Sequence, residues 1–244
     1  MHGRRLRFGF YGGRPVGKAG EFMKLEGKII NFLGDSITEG YGTSDFEGAQ
    51  EKRYSHLIAE KYGLKRANNY GVCGSRIARQ QVVTDNLYDR DFCMRCHEMD
   101  PEADIVVVLG GTNDYGHGTA FIGRFEDRTP ETFYGACHYL MRSLIERYPD
   151  GRIVFATPLH RLDEDNPHGD GQKSWEGRPL RDYVNIIRRV AEYYSVALLD
   201  LYAAGGFQPE VPVLRERYMP DGLHPNDAGH RILADRIGRF LESL

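Results

Sequence analysis

The chain has 244 residues, 41% of them hydrophobic and 27% charged, with a formal net charge of −3. That balance fits a globular fold with a sizeable core and excludes fibrous, disordered and disulfide-scaffold classes. A mildly acidic composition advertises no basic face for nucleic acid, and no apolar run is long enough to span a membrane, so neither partner is expected.

Residues 1–22 are rich in Gly and Arg and lack periodicity, which predicts a flexible N-terminal arm ahead of a single domain over 23–244. The arm has no apolar core of a secretory leader, so a cytoplasmic address is expected, with Cys73, Cys93, Cys96 and Cys137 as reduced thiols. Gly12 to Lys18 has the glycine and lysine spacing of a phosphate-binding loop. Ala19, however, stands where a hydroxyl should hold magnesium, and no amphipathic helix follows.

From Lys28 onward, short apolar runs alternate with helical patterns. Strands are predicted at Ile29–Leu33, Ile105–Leu109, Ile153–Ala156 and Val196–Leu199, with a weaker candidate at Arg66–Tyr70. Their consecutive Ile and Val suit strands buried on both faces. Helices are predicted at Tyr54–Tyr62, Glu131–Arg147, Leu180–Tyr194 and Asp227–Leu241, the last with Asn226 as its N-cap. Strand–helix alternation implies right-handed crossovers, hence an α/β fold of three layers around a central parallel sheet.

In such sheets a site forms beyond the carboxyl ends of the strands. Polar, glycine-bearing segments stand there: Gly34-Asp35-Ser36 after the first strand, Gly71-Val72-Cys73-Gly74 after the second, and Gly110-Gly111-Thr112-Asn113-Asp114 after the third. Asp221-Gly222-Leu223-His224 precedes the terminal helix. These four blocks, in this order, resemble the SGNH hydrolases, the GDSL family of esterases and lipases, from about Lys28 to the end of the chain.

The resemblance implies a flavodoxin-like sandwich and ester hydrolysis through an acyl-serine intermediate. It makes Ser36 the nucleophile, His224 its base and Asp221 the acid that orients the imidazole. It assigns the oxyanion hole to the backbone N–H groups of Ser36 and Gly74 and the side-chain amide of Asn113, with no metal or other cofactor. Short acyl esters, including O-acetylated carbohydrates, are the expected substrates. Lipid-directed esterase or thioesterase activity is the alternative, and a non-catalytic carbohydrate- or protein-binding module on the same fold is the alternative of another class. Asp35 and Asp114 beside the motifs are read as loop-holding residues.

Two patterns point elsewhere. Cys93-Met94-Arg95-Cys96-His97 matches a c-type haem attachment sequence but lacks an evident axial partner, and as a zinc half-site it lacks a second ligand pair. The acidic run Asp163 to Asp170 carries Pro167 where a calcium loop needs a ligand, so a solvated loop is expected. That run belongs to a polar stretch from His160 to Arg178, after the fourth strand, which is expected either to fold over the pocket or to be a surface insertion. If it covers the pocket, His160 and Trp175, the single tryptophan, are the candidate substrate contacts.

Overall fold

The computed structural model describes residues 23–171, 173 and 177–244. The arm expected over 1–22 and the candidate contact Trp175 lie outside the described residues. Five parallel strands, β1 (Ile29–Gly34), β2 (Arg66–Gly71), β3 (Ile105–Leu109), β4 (Arg152–Ala156) and β5 (Ala197–Leu199), form one sheet in the order β2-β1-β3-β4-β5. The described helices are α1 (Ser36–Glu39), α2 (Tyr54–Tyr62), α3 (Phe92–Arg95), α4 (Thr112–Gly116), α5 (Phe133–Arg147), α6 (Leu180–Tyr194), α7 (Leu201–Ala204), α8 (Pro212–Tyr218) and α9 (Asp227–Glu242).

Side chains alternate along each strand, and each parity feeds a different core. Leu33, Val106, Val108 and Phe155 pack with α5 and α6, whereas Ile30, Phe32, Val107 and Val154 pack with α2 and α9. This is the three-layer α/β architecture. Asn31 interrupts the apolar run of β1, yet its amide donates to the Asp100 carbonyl at 2.8 Å and accepts from Asn68 at 2.9 Å. A buried amide is tolerated when both ends are satisfied. β2 explains its own weak signal: as an edge strand it buries none of its six residues fully, so selection for apolar runs is relaxed. The short helices α1, α4, α7 and α8 carry no apolar period and were not predicted.

The chain leaves β1 toward β2 on one side and returns to β3 on the other. The end of β1 is therefore a topological switch point, where diverging crossovers leave a crevice. Ser36 follows that end. No described helix is long and apolar enough to cross a membrane.

Candidate active site

Asp35 closes β1 and opens α1: its carboxylate accepts the Ile37 N–H at 3.0 Å, so the chain turns sharply and Ser36 becomes the first residue of the helix. The second block docks against this turn. A Cβ at Gly71 would lie 2.1 Å from the Glu39 nitrogen, so only glycine allows β2 to end against α1. Asn69 then donates to the Thr38 carbonyl at 2.6 Å, and the Cys73 N–H donates to the Glu39 carboxylate at 2.5 Å. Gly74 adopts φ +74°, a left-handed conformation that glycine takes without cost.

The third block is held by the second. One Asn113 amide hydrogen goes to the Ser75 carbonyl at 3.0 Å, leaving the other for a ligand. Asp114 accepts the N–H groups of Ile77 and Ala78, each at 2.9 Å, as a loop-holding carboxylate does. Arg95 ties the strand ends together, donating to the carbonyls of Gly34 (3.0 Å), Tyr70 (2.6 Å) and Arg90 (3.0 Å) and to the Ser75 hydroxyl (2.7 Å). Burial lowers its pKa to about 10, which still leaves it charged at neutral pH. The arginine hidden in the haem-like pattern is thus a clamp beneath the site. Its flanking Cys93 and Cys96 are buried, free thiols, and burial pushes that of Cys96 up to about 12. Among the described residues no group of three or more His, Cys, Asp and Glu side chains converges as metal ligands.

The fourth block folds over the first three. Asp221 accepts the N–H groups of Leu223 (2.9 Å) and His224 (2.7 Å) on one carboxylate oxygen, while the other faces His224 Nδ1 at 2.6 Å. His224 Nε2 then lies 3.0 Å from Ser36 Oγ. Partial burial raises the Asp221 pKa, but hydrogen bonds from the His224 ring and backbone outweigh it and bring the value to about 2. An ionised carboxylate fixes Nδ1 as the donor, so Nε2 presents its lone pair to the hydroxyl. The Tyr41 ring packs edge-on against this imidazole, 4.6 Å between centroids. Asp35 is fully buried, and burial, opposed by the Ile37 N–H, raises it to about 6.

Ser36, Gly74, Asn113, Asp221 and His224 line one cleft of about 340 Å³. Tyr41, Cys73, His117, Asp170 and Leu223 complete the wall; Cys73 and Leu223 sit inside the motif blocks and Asp170 ends the acidic run, but sequence reading gave none of the five a role in the site. Asp170 arrives from the stretch expected as a solvated loop. That stretch is instead pinned to α4: the Asp170 N–H donates to the Gly116 carbonyl at 2.8 Å, Asp170 pairs with Arg161, and Tyr115 donates to the Asn166 carbonyl at 3.1 Å. The substrate contact expected at His160 is not what the geometry gives. Its Nδ1 pairs with Glu164 at 2.8 Å, its ring lies against Tyr202 with centroids 3.9 Å apart, and it is not among the cleft-lining residues. Glu164 also accepts the hydroxyl of Tyr202 from α7 at 3.0 Å, so the carboxylate links the two rings.

Comparison with known proteins identifies the family and the fold. The sequence profile of the GDSL-like lipase/acylhydrolase family matches residues 32–232. A crystal structure of a protein from Lactobacillus plantarum is 30% identical with a TM-score of 0.75, the alignment covering 89% of this chain and 98% of that one. An acetylxylan esterase from Geobacillus stearothermophilus shares the fold at 20% identity and a TM-score of 0.58, with 90% of this chain and 96% of that one covered. No curated protein matches the sequence significantly. The profile match, the parallel five-stranded sheet and the clustering of the four motif blocks at its carboxyl edge lead to one assignment: the chain belongs to the GDSL-like lipase/acylhydrolase family and is a carboxylic ester hydrolase.

Proposed function

We propose that the protein hydrolyses short acyl esters, acetyl groups on a carbohydrate foremost, through a covalent acyl-Ser36 intermediate. The observation that carries this reading is the continuous relay from Asp221 to His224 Nδ1 (2.6 Å) and from His224 Nε2 to Ser36 Oγ (3.0 Å). In the first half-reaction Oγ attacks the ester carbonyl as its proton moves to Nε2, and a tetrahedral oxyanion forms. The N–H groups of Ser36 and Gly74 and the second amide hydrogen of Asn113 receive that charge. Collapse expels the alcohol, which takes the proton from Nε2. Water then attacks the acyl-serine with His224 again as base, releasing the carboxylic acid and restoring the hydroxyl.

A short acyl group is favoured by the cleft itself. Its wall sets Tyr41 and Leu223 beside Asp170 and Asp221, so a long alkyl chain would desolvate two carboxylates along with the apolar surface it gains. The fold shared with an acetylxylan esterase agrees with an acetylated sugar.

Ser36→Ala tests the mechanism. Turnover of 4-nitrophenyl acetate should fall by at least about 10⁴-fold with the far-UV spectrum and melting temperature retained. A serine-directed fluorophosphonate should label the wild type at Ser36 and leave the variant unlabelled. Full turnover in the variant would end the serine mechanism.

A further inference from the structure

Beside the catalytic cleft lies a second, larger cavity of about 480 Å³, lined by Arg76, Gln80, Val82, Tyr88, Asp89 and Thr119. The two share a wall made by Gly74 and His117. Tyr88 and His117 flank Gly74 closely: a Cβ built on Gly74 would sit 3.4 Å from Tyr88 Cβ and 4.0 Å from His117 Nε2. A substrate whose carbonyl oxygen takes the Gly74 N–H therefore has one end at the mouth of this cavity. We propose that the cavity is the alcohol-side subsite of the esterase and that it takes a neutral, polyhydroxylated ring; this rests on the ester-hydrolase reading above.

The lining argues for that ligand class. Arg76 and Asp89 form a buried ion pair, so the cavity holds both signs of charge and offers no net positive field for a phosphate. Their charges also oppose a fatty chain, which would strip water from the pair without replacing its hydrogen bonds. Apart from Val82 and Tyr88, the remaining side chains are polar and knitted together. Gln80 accepts the Thr119 N–H at 2.6 Å and hydroxyl at 3.0 Å and donates to the Ala78 carbonyl at 2.8 Å, while Asp89 accepts the Thr84 N–H at 3.0 Å. These bonds hold the wall in shape before any ligand arrives, which lowers the ordering cost of binding. Tyr88 supplies what a sugar needs and a simple polar pocket lacks: an aromatic ring, 41% exposed, with the Arg76 guanidinium 5.3 Å from its centroid. A pyranose presents C–H groups to such a ring and hydroxyls to the polar atoms around it. The cavity also falls within the usual size of small-molecule sites.

Two variants test the proposal by specificity ratios. Tyr88→Ala removes the ring; Val82→Trp fills the cavity from a position that is 73% exposed and outside the hydrophobic core. In each, kcat/KM for a monoacetylated methyl xyloside relative to 4-nitrophenyl acetate should fall about tenfold, the loss of one aromatic contact or more. The ratio for 4-nitrophenyl hexanoate against acetate should stay within about twofold of wild type. A xyloside ratio unchanged in both variants would overturn the subsite. A change confined to the hexanoate ratio would overturn it too, by making the cavity an acyl site. Loss of the Ser36 dependence of turnover would instead strike the mechanism, so the two failures read differently.

Discussion

Two histidines line the proposed catalytic cleft, and each stands beside a carboxylate, yet the geometry equips only one of them to act as a base. His224 has Asp221 at 2.6 Å from Nδ1 and a serine hydroxyl at 3.0 Å from Nε2. His117 has Asp170 at 3.8 Å from Nδ1 and the carbonyl oxygen of Gly74 at 3.3 Å from Nε2. A hydroxyl can give its proton to a ring nitrogen, whereas a carbonyl oxygen can only accept. Nε2 of His117 must therefore carry hydrogen, and the lone pair a base would need is turned away from the nucleophile. The comparison teaches that proximity of imidazole and carboxylate does not define a catalytic pair; the atom on the far side of the ring does.

That contrast breaks most directly by exchange of its members. His224→Ala should lower kcat on 4-nitrophenyl acetate by on the order of 10⁴-fold, nearly as far as loss of the serine, because the proton then has no acceptor. His117→Ala should cost on the order of tenfold, through the wall it shares with the alcohol-side cavity rather than through proton transfer. Steady-state kinetics on both variants decides it: equal losses would mean that the role of His117 has been misjudged.

The same contrast is sharpened at Asn113, whose amide has one acceptor in the structure and a second in the proposed mechanism. One hydrogen is already taken by the Ser75 carbonyl at 3.0 Å, and the other is proposed for the oxyanion. Asn113→Ala should reduce kcat by about 10²–10³-fold with KM nearly unchanged, the signature of an interaction made in the transition state. A loss carried by KM alone would indicate that the residue only holds the loop.

How much of this could be read from sequence follows from range. The four strands that form apolar runs and the motif blocks beyond them are local patterns, and it is the family resemblance carried by the blocks in their order that gave Ser36, Asn113, Asp221 and His224 their expected roles before any fold was known. The second block, moreover, includes two glycines, Gly71 and Gly74, whose Cβ position or dihedral leaves little choice. His117, Asp170 and Arg95 lacked any such signal. Arg95 looked like one basic residue in a cysteine motif, and its four hydrogen bonds reach residues 5 to 61 positions away. Asp170 sat in an acidic run whose composition spoke for solvent, and only the pairing with Arg161 and α4 brings it to the cleft. His160 shows the limit from the other side: a histidine after a strand end suggests a substrate contact, whereas its Nδ1 is held by Glu164 and its ring lies against Tyr202, contacts that no local pattern announces. Trp175 lies outside the described residues.

The smallest expected effect concerns the two carboxylates nearest the proposed machinery, which burial and hydrogen bonding push in opposite directions. Asp221, drawn down to about 2, contributes stability above its unfolded value near 3.8 and loses it only as pH falls toward 2. Asp35 is the reverse case. Its folded value, raised to about 6 by burial, means that the native protein holds a proton that the unfolded chain has released between about pH 4 and 6. Stability must therefore fall across that window as pH rises, by on the order of 2–3 kcal/mol if this group acts alone. One carboxylate oxygen of Asp35 accepts the Ile37 N–H at 3.0 Å, and the other is buried with no hydrogen-bond partner among the described residues. Asn preserves the first contact and cannot ionise, so Asp35→Asn should gain stability over wild type progressively from pH 4 to pH 7. Urea unfolding of both proteins at several pH values measures this. A stability difference that stays constant across the window would mean that Asp35 titrates as an ordinary surface carboxylate, despite its burial at the foot of the nucleophile.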